Sequence, residues 1–185
     1  MLEEAPLEDA ELVALVRDGS ADSFAEIVRR YQAPLMRYLL HLTGGIEVAQ
    51  DLAQETFLNA YKSLMKDGTV YALKPWLYRI ATNQARQYHR RRRLITFIPF
   101  VDEVTAPAQE VTPGRVEDRL AVEEALGRVG PARRTCLLLH YVEGFKYADI
   151  AAILGTTEEA VRKRVARGSL EFKRFYQEGS RADEV

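Results

Sequence analysis

The chain has 185 residues, 47% of them hydrophobic and 29% charged, with 26 Lys plus Arg set against 27 Asp plus Glu. This length suits one domain or two small ones, and the composition supports a buried core under a solvated surface. Near-neutral charge excludes a uniformly basic coat, the lone Cys136 excludes an internal disulfide or a thiolate metal cluster, and no apolar run reaches the roughly 18 residues of a membrane helix.

The acidic opening MLEEAPLEDAEL is unlike a secretion signal, so a soluble cytoplasmic protein without membrane insertion is expected. Leu12, Val13, Leu15 and Val16 then form an apolar stripe that stops at Gly19. Ser20 or Asp22 can cap the next helix, whose stripe runs from Phe24 through Ile27, Tyr31, Leu35 and Tyr38 to Leu42. Pro34 inside that stripe predicts a kink or a break. A third helix over 47–64 turns Val48, Leu52, Ala53, Phe57, Ala60 and Tyr61 inward. Its other face presents Glu47, Gln50, Asp51, Gln54, Glu55 and Asn59. After a loop at 66–74, Pro75 opens a fourth helix that buries Leu77, Ile80, Ala81, Ala85 and Tyr88.

Residues 94–115 hold Pro99, Pro107, Pro113 and Gly114 without helical period, which marks a linker. Its start, LITFIPFV, is apolar enough to dock. The helical pattern resumes with Val122, Ala125, Leu126 and Val129. Pro131 then begins a helix carrying Cys136, Leu137, Leu139 and Tyr141, ended by Gly144, and helices at about 147–154 and 157–177 follow. The expected fold is all-α: two small helical domains, 1–95 and 116–178, joined by a Pro-containing linker at 96–115.

Charge is unevenly placed. Residues 79–93 carry six arginines and no acid, and 144–176 carry seven bases against four acids, while 94–128 between them has a net charge of −4. Two polyanion-contacting segments with an acidic connector are the expectation.

Residues 147–166, YADIAAILGTTEEAVRKRVA, have the internal order of a helix-turn-helix. Ala151 falls where the helices cross, and Gly155 at the turn, where a positive φ is needed. Ile150, Leu154, Val161 and Val165 supply the packing, and Thr156 with Glu159 fits a capping box for the second helix. Arg162, Lys163, Arg164 and Arg167 fall away from that packed stripe, as a helix in a major groove requires. Upstream, Arg79, Asn83, Arg86, Gln87 and Arg90 share one face of the helix over 75–93, with Trp76 and Tyr78 near its start. Guanidinium, amide and aromatic groups together suit phosphates and unstacked bases.

Four segments in this order resemble the bacterial sigma factors of the extracytoplasmic-function class: AELVALVRDGSADSFAEIVRRYQAPLMRY, VAQDLAQETFLNAY, KPWLYRIATNQARQYHRRRR and the C-terminal ALGRVG to FKRF stretch. The resemblance implies that Asp51, Gln54, Glu55 and Asn59 face core RNA polymerase. It implies further that Trp76, Arg79, Asn83, Arg86 and Arg90 act on the melted −10 element. Thr157, Arg162, Lys163, Arg164 and Arg167 would serve the −35 element, and the linker would thread toward the RNA exit path. The implied partners are core RNA polymerase, promoter DNA and a separate anti-sigma factor, since the tail after Tyr176 is too short for an appended sensory domain. No cofactor, metal or catalytic residue is implied. Gln87, Lys146, Glu159-Ala160 and Gly130-Pro131 depart from the family's commoner residues, which bears on promoter sequence rather than on class.

An enzyme is not expected. His41, His89 and His140 stand in unrelated contexts, and neither a metalloprotease, a nucleophile-elbow nor a P-loop pattern occurs. His140 and Cys136 share a helix face as core packing. A dimeric helix-turn-helix repressor, or an adaptor that keeps the fold without initiating transcription, are the rivals. The acidic face at 47–64 and the arginine helix argue against a repressor, which needs neither.

Overall fold

The computed structural model describes residues 7–66, 70, 72–95 and 113–182, and among these the regular structure is helical throughout. The elements are α1 (Asp9–Arg17), α2 (Ala21–Thr43), α3 (Ile46–Leu64), α4 (Leu73–Ile95), α5 (Pro113–Arg128), α6 (Pro131–Leu137), a π-helical turn (Leu138–Val142), α7 (Tyr147–Leu154) and α8 (Glu158–Ala182). Described residues within 1–39 and 47–100 form one compact unit, and those within 40–46 and 101–185 form another.

In the first unit, Ser20 rather than Asp22 caps α2: the Ser23 N–H donates to Ser20 Oγ at 3.2 Å. Of the kink or break expected at Pro34, the break does not occur, since the helix runs through that residue. An internal proline costs about 3 kcal/mol, and full burial of Leu35, Tyr38 and Leu39 just beyond it offsets that loss. Leu15 is exposed, so the α1 stripe is Leu12, Val13 and Val16.

Two polar links fix this unit's helices. The Thr82 hydroxyl donates to the Tyr78 carbonyl at 2.6 Å, which obliges the Tyr38 hydroxyl, 2.8 Å away, to donate to Thr82 Oγ1. Both rings are buried, with centroids 5.1 Å apart. Tyr78 is therefore core, not the exposed aromatic expected beside the arginines. The second link joins α1 to α2: Asp9 accepts from Arg30 at 2.6 Å and from the Tyr31 hydroxyl.

Burial, then the Asp9 carboxylate, pushes the Tyr31 phenol well above its ordinary pKa, with Arg30 opposing. Stability from this neutral phenol is complete below the usual tyrosine value of about 10 and is lost as pH rises toward the folded value. Tyr31→Phe should cost about 1 kcal/mol at neutral pH. That gap should narrow above pH 10, read by urea unfolding of both proteins at the two pH values.

In the second unit, α5 starts at Pro113, inside the expected linker, with the proline at the first helical position. The remainder of that linker, residues 96–112 and so most of the LITFIPFV segment, lies outside the described residues. Val122 and Tyr141, both expected inside, are exposed. Tyr141 falls near the end of the π-helical turn, three residues before the positive-φ Gly144, with its ring against His140 rather than in the core. α8 is braced on α6 by Arg133–Glu171 at 2.7 Å and on α5 by Arg128–Glu178 at 2.7 Å, with the Arg128 guanidinium over the Phe175 ring. At Gly168 the two helices nearly touch: a Cβ there would lie 3.2 Å from the Leu137 and Arg133 side chains.

Candidate nucleic-acid interface

α3 has two unlike sides. Ala49, Leu52, Ala53, Thr56, Phe57 and Ala60 are buried, and the Thr56 hydroxyl turns back onto the Leu52 carbonyl at 2.7 Å. Glu47, Gln50, Asp51, Gln54 and Glu55 are exposed and Asn59 is half-buried. The structure thus brings the expected acid and amide groups onto one strip, about 12 Å long from Asp51 to Asn59 at 1.5 Å per residue. Leu58, which periodicity did not single out, stands exposed beside them.

α4 is built likewise. Leu73, Leu77, Tyr78, Ala81, Thr82 and Ala85 are buried, and Arg79, Asn83, Arg86, Gln87 and Arg90 are exposed with Trp76 half-buried. At about 100° per residue, 76, 79, 83, 86 and 90 lie within one quadrant opposite the core. They form a strip about 21 Å long, basic along its whole length and aromatic at its start. Four residues of the neighbouring loop, 67–69 and 71, lie outside the described residues.

The helix-turn-helix forms from α7 and α8. Gly155 takes a left-handed conformation, φ +63°, and ends α7 where a side chain would be strained. Ile150, Ala151, Leu154, Val161 and Val165 are buried as expected. The cap is one residue later than the sequence suggests: Thr157, not Thr156, accepts the Ala160 N–H at 3.2 Å. Thr157 therefore spends an acceptor on the helix and keeps its hydroxyl proton for an outside partner. α7 lacks a serine cap, and the Lys146 N–H instead donates to the Asp149 carboxylate at 3.3 Å.

The four cations of α8 are not equivalent. Arg162, Lys163 and Arg167 are exposed, whereas Arg164 is half-buried on the flank next to the packed side. Arg162 pairs with Glu158 at 3.0 Å and lies over the Tyr147 ring, and Lys163 pairs with Glu159 at 2.6 Å. Glu159, expected in a capping box, thus pairs with Lys163, and the i, i+4 spacing of both glutamates to the cations makes the pairs legible in the sequence. His140 is held by its Nδ1–H to the Phe145 carbonyl at 3.0 Å and by the rings of Tyr141 and Tyr147, while Cys136 is buried in the core. Among the described residues no three His, Cys, Asp or Glu side chains gather as a metal site, and no helix is long and apolar enough to cross a membrane.

The chain is similar in sequence and fold to known proteins. Residues 27–95 match the family described as Sigma-70 region 2, and residues 119–171 match Sigma-70, region 4. The chain is 30% identical to the RNA polymerase sigma-H factor of Pseudomonas aeruginosa, covering 86% of this chain and 89% of that protein. It is 32% identical to the ECF RNA polymerase sigma factor SigL of Mycobacterium tuberculosis, over 80% of this chain and 87% of the other. Against the probable RNA polymerase sigma factor RfaY of Xanthomonas campestris, 30% identical, it spans only 39% of the relative's length. The fold matches CnrH in its complex with the cytosolic domain of CnrY, with TM-score 0.71, 23% identity and coverage of 91% of this chain and 97% of that one. The sigma factor RpoE of Bartonella quintana, in complex with the anti-sigma factor NepR, gives 0.69 at 23% identity over 85% and 98%.

An all-helical pair of units bearing an acid strip, an arginine strip and a helix-turn-helix defines a DNA-binding transcription protein. The chain belongs to the RNA polymerase sigma factor family, in its extracytoplasmic-function class.

Proposed function

We propose that the chain works as an alternative sigma factor through three surfaces, acting by binding and without a catalytic step of its own. Asp51, Gln54, Glu55 and Asn59 on α3 engage core RNA polymerase. Trp76, Arg79, Asn83, Arg86 and Arg90 on α4 hold the separated −10 strand, where bases stack on aromatic faces and phosphates meet guanidinium groups. Thr157, Arg162, Lys163 and Arg167 enter the −35 major groove, with Arg164 reaching a phosphate from its flank. The domains of this reading are 1–95 and 116–178, and the site of action is the cytoplasm. The observation that supports it best is the α3 strip, five exposed acid or amide side chains opposite a buried stripe. A dimeric repressor has no use for that surface. Because CnrH and RpoE were solved with the partners named above, a separate anti-sigma protein is the proposed inhibitor.

Specific RNA synthesis from purified chain plus core polymerase tests the function, and its absence on every promoter of the source genome would refute it. In the same assay, Asn83→Ala should lower open-complex formation about tenfold, as expected for one lost base contact of about 1–3 kcal/mol. A promoter with a pre-melted bubble should restore most of the signal. No rescue would remove α4 from strand reading.

A further inference from the structure

We propose that Glu159 reads a base in the −35 element, accepting a hydrogen bond from the exocyclic amine of a cytosine. This inference rests on the placement of α8 in the major groove proposed above.

Val161, Val165 and Gly168 mark the packed side of α8. At about 100° per residue the side diametrically opposite is formed by Glu159, Lys163, Ala166 and Leu170, all exposed. Arg162 lies about a quarter turn to one side and Arg164 close to the packed side on the other. The outermost ridge of the helix thus begins with a carboxylate. It does so in the first turn after the Thr157 cap, and the N-terminal residues of a recognition helix are those that meet base edges.

A carboxylate is costly in a groove lined by phosphates unless a cation accompanies it. Lys163 is that cation, 2.6 Å from one Glu159 oxygen, with the two side chains 65% and 74% exposed. The pair leaves the second carboxylate oxygen as an acceptor beside an ammonium donor. A C·G pair presents the complement in the major groove, the cytosine N4 amine beside the guanine O6 acceptor. Adenine also offers an amine, but with N7 beside it on the same base it is matched bidentately by an amide, whereas a carboxylate is the usual partner of the cytosine amine. Guanine and thymine offer acceptors at the same edge. Glu158 is not equivalent, because its carboxylate pairs with Arg162 at 3.0 Å on the flank carrying Tyr147.

The test is transcription by polymerase carrying wild type, Glu159→Ala, Glu159→Gln, Lys163→Ala, Arg162→Ala or Arg167→Ala, on promoters with every single-base change in the −35 element. Wild type should prefer cytosine at one position by roughly tenfold, a usual penalty for one mismatched pair. Glu159→Ala should reduce that preference to within about twofold, and Glu159→Gln should move it toward adenine, which glutamine can pair bidentately. If Glu159→Ala changes all promoters by one common factor while a cation variant shifts a single position, Glu159 only neutralises Lys163 and the proposal fails. If no variant shifts preference anywhere, α8 is not the groove helix, and the functional reading of this unit fails with it.

Discussion

Lysine at both Asp51 and Glu55 should lower affinity for core RNA polymerase by about a hundredfold, since two interfacial charges reversed on one strip cost about 3 kcal/mol. Both side chains are exposed on α3, on the side away from Leu52, Ala53, Thr56 and Phe57. Lysine is as good a helix former as glutamate, so helicity and unfolding should stay within about 0.5 kcal/mol of wild type. The loss should shrink in high salt, because exposed charges are screened there. Equilibrium binding of labelled chain to core polymerase at two salt concentrations reads the effect. Wild-type affinity in the double variant would mean that α3 does not face polymerase.

Leucine at Gly168 should act through the fold instead. The α6–α8 crossing leaves only 3.2 Å between a Cβ at that position and the Leu137 and Arg133 side chains, so four additional carbons cannot enter without separating the helices. Overpacking of this kind costs about 1–3 kcal/mol. It falls on the small second unit, whose salt bridges at Arg133 and Arg128 are partly exposed and worth little. Urea unfolding should show the destabilisation, and transcription should fall on promoters that depend on the −35 element. Core binding should persist, because α3 belongs to the other unit, with its own buried residues. Gly168→Ala should be far milder, since gained helix propensity of about 1 kcal/mol opposes the crowding. Unchanged unfolding in the leucine variant would show that α6 can move away freely.

Residue spacing carried most of this architecture. The packed side of the helix-turn-helix and most of those of α3 and α4 follow from period and residue size, although Val48, Tyr61, Ile80 and Tyr88, all expected inside, are only half-buried. What period cannot weigh is compensation between opposing local and tertiary effects. Pro34 argues locally for a break, yet α2 continues because Leu35, Tyr38 and Leu39 are fully buried. Tyr78 looks like a partner for bases, yet its carbonyl takes the Thr82 hydroxyl proton and its ring meets Tyr38. Thr156 and Thr157 are equal candidates for a cap, and only backbone geometry selects the second. Side-chain pairing was the weakest signal of all: counting bases along 144–176 hid the fact that two are already paired with glutamates.

The two faces of α4 share no residue. Leu77, Tyr78, Ala81, Thr82 and Ala85 hold the helix in place, and Trp76, Arg79, Asn83, Arg86 and Arg90 hold none of the buried positions. Inheritance can therefore act on the two sets separately. Duplicated copies of such a gene can exchange the outward five while the inward five remain as they were, and under the −10 role proposed above the promoters they open would change with them. Diversification of promoter choice then proceeds with little penalty in stability, and a chimera carrying another relative's outward residues should fold as readily as either parent.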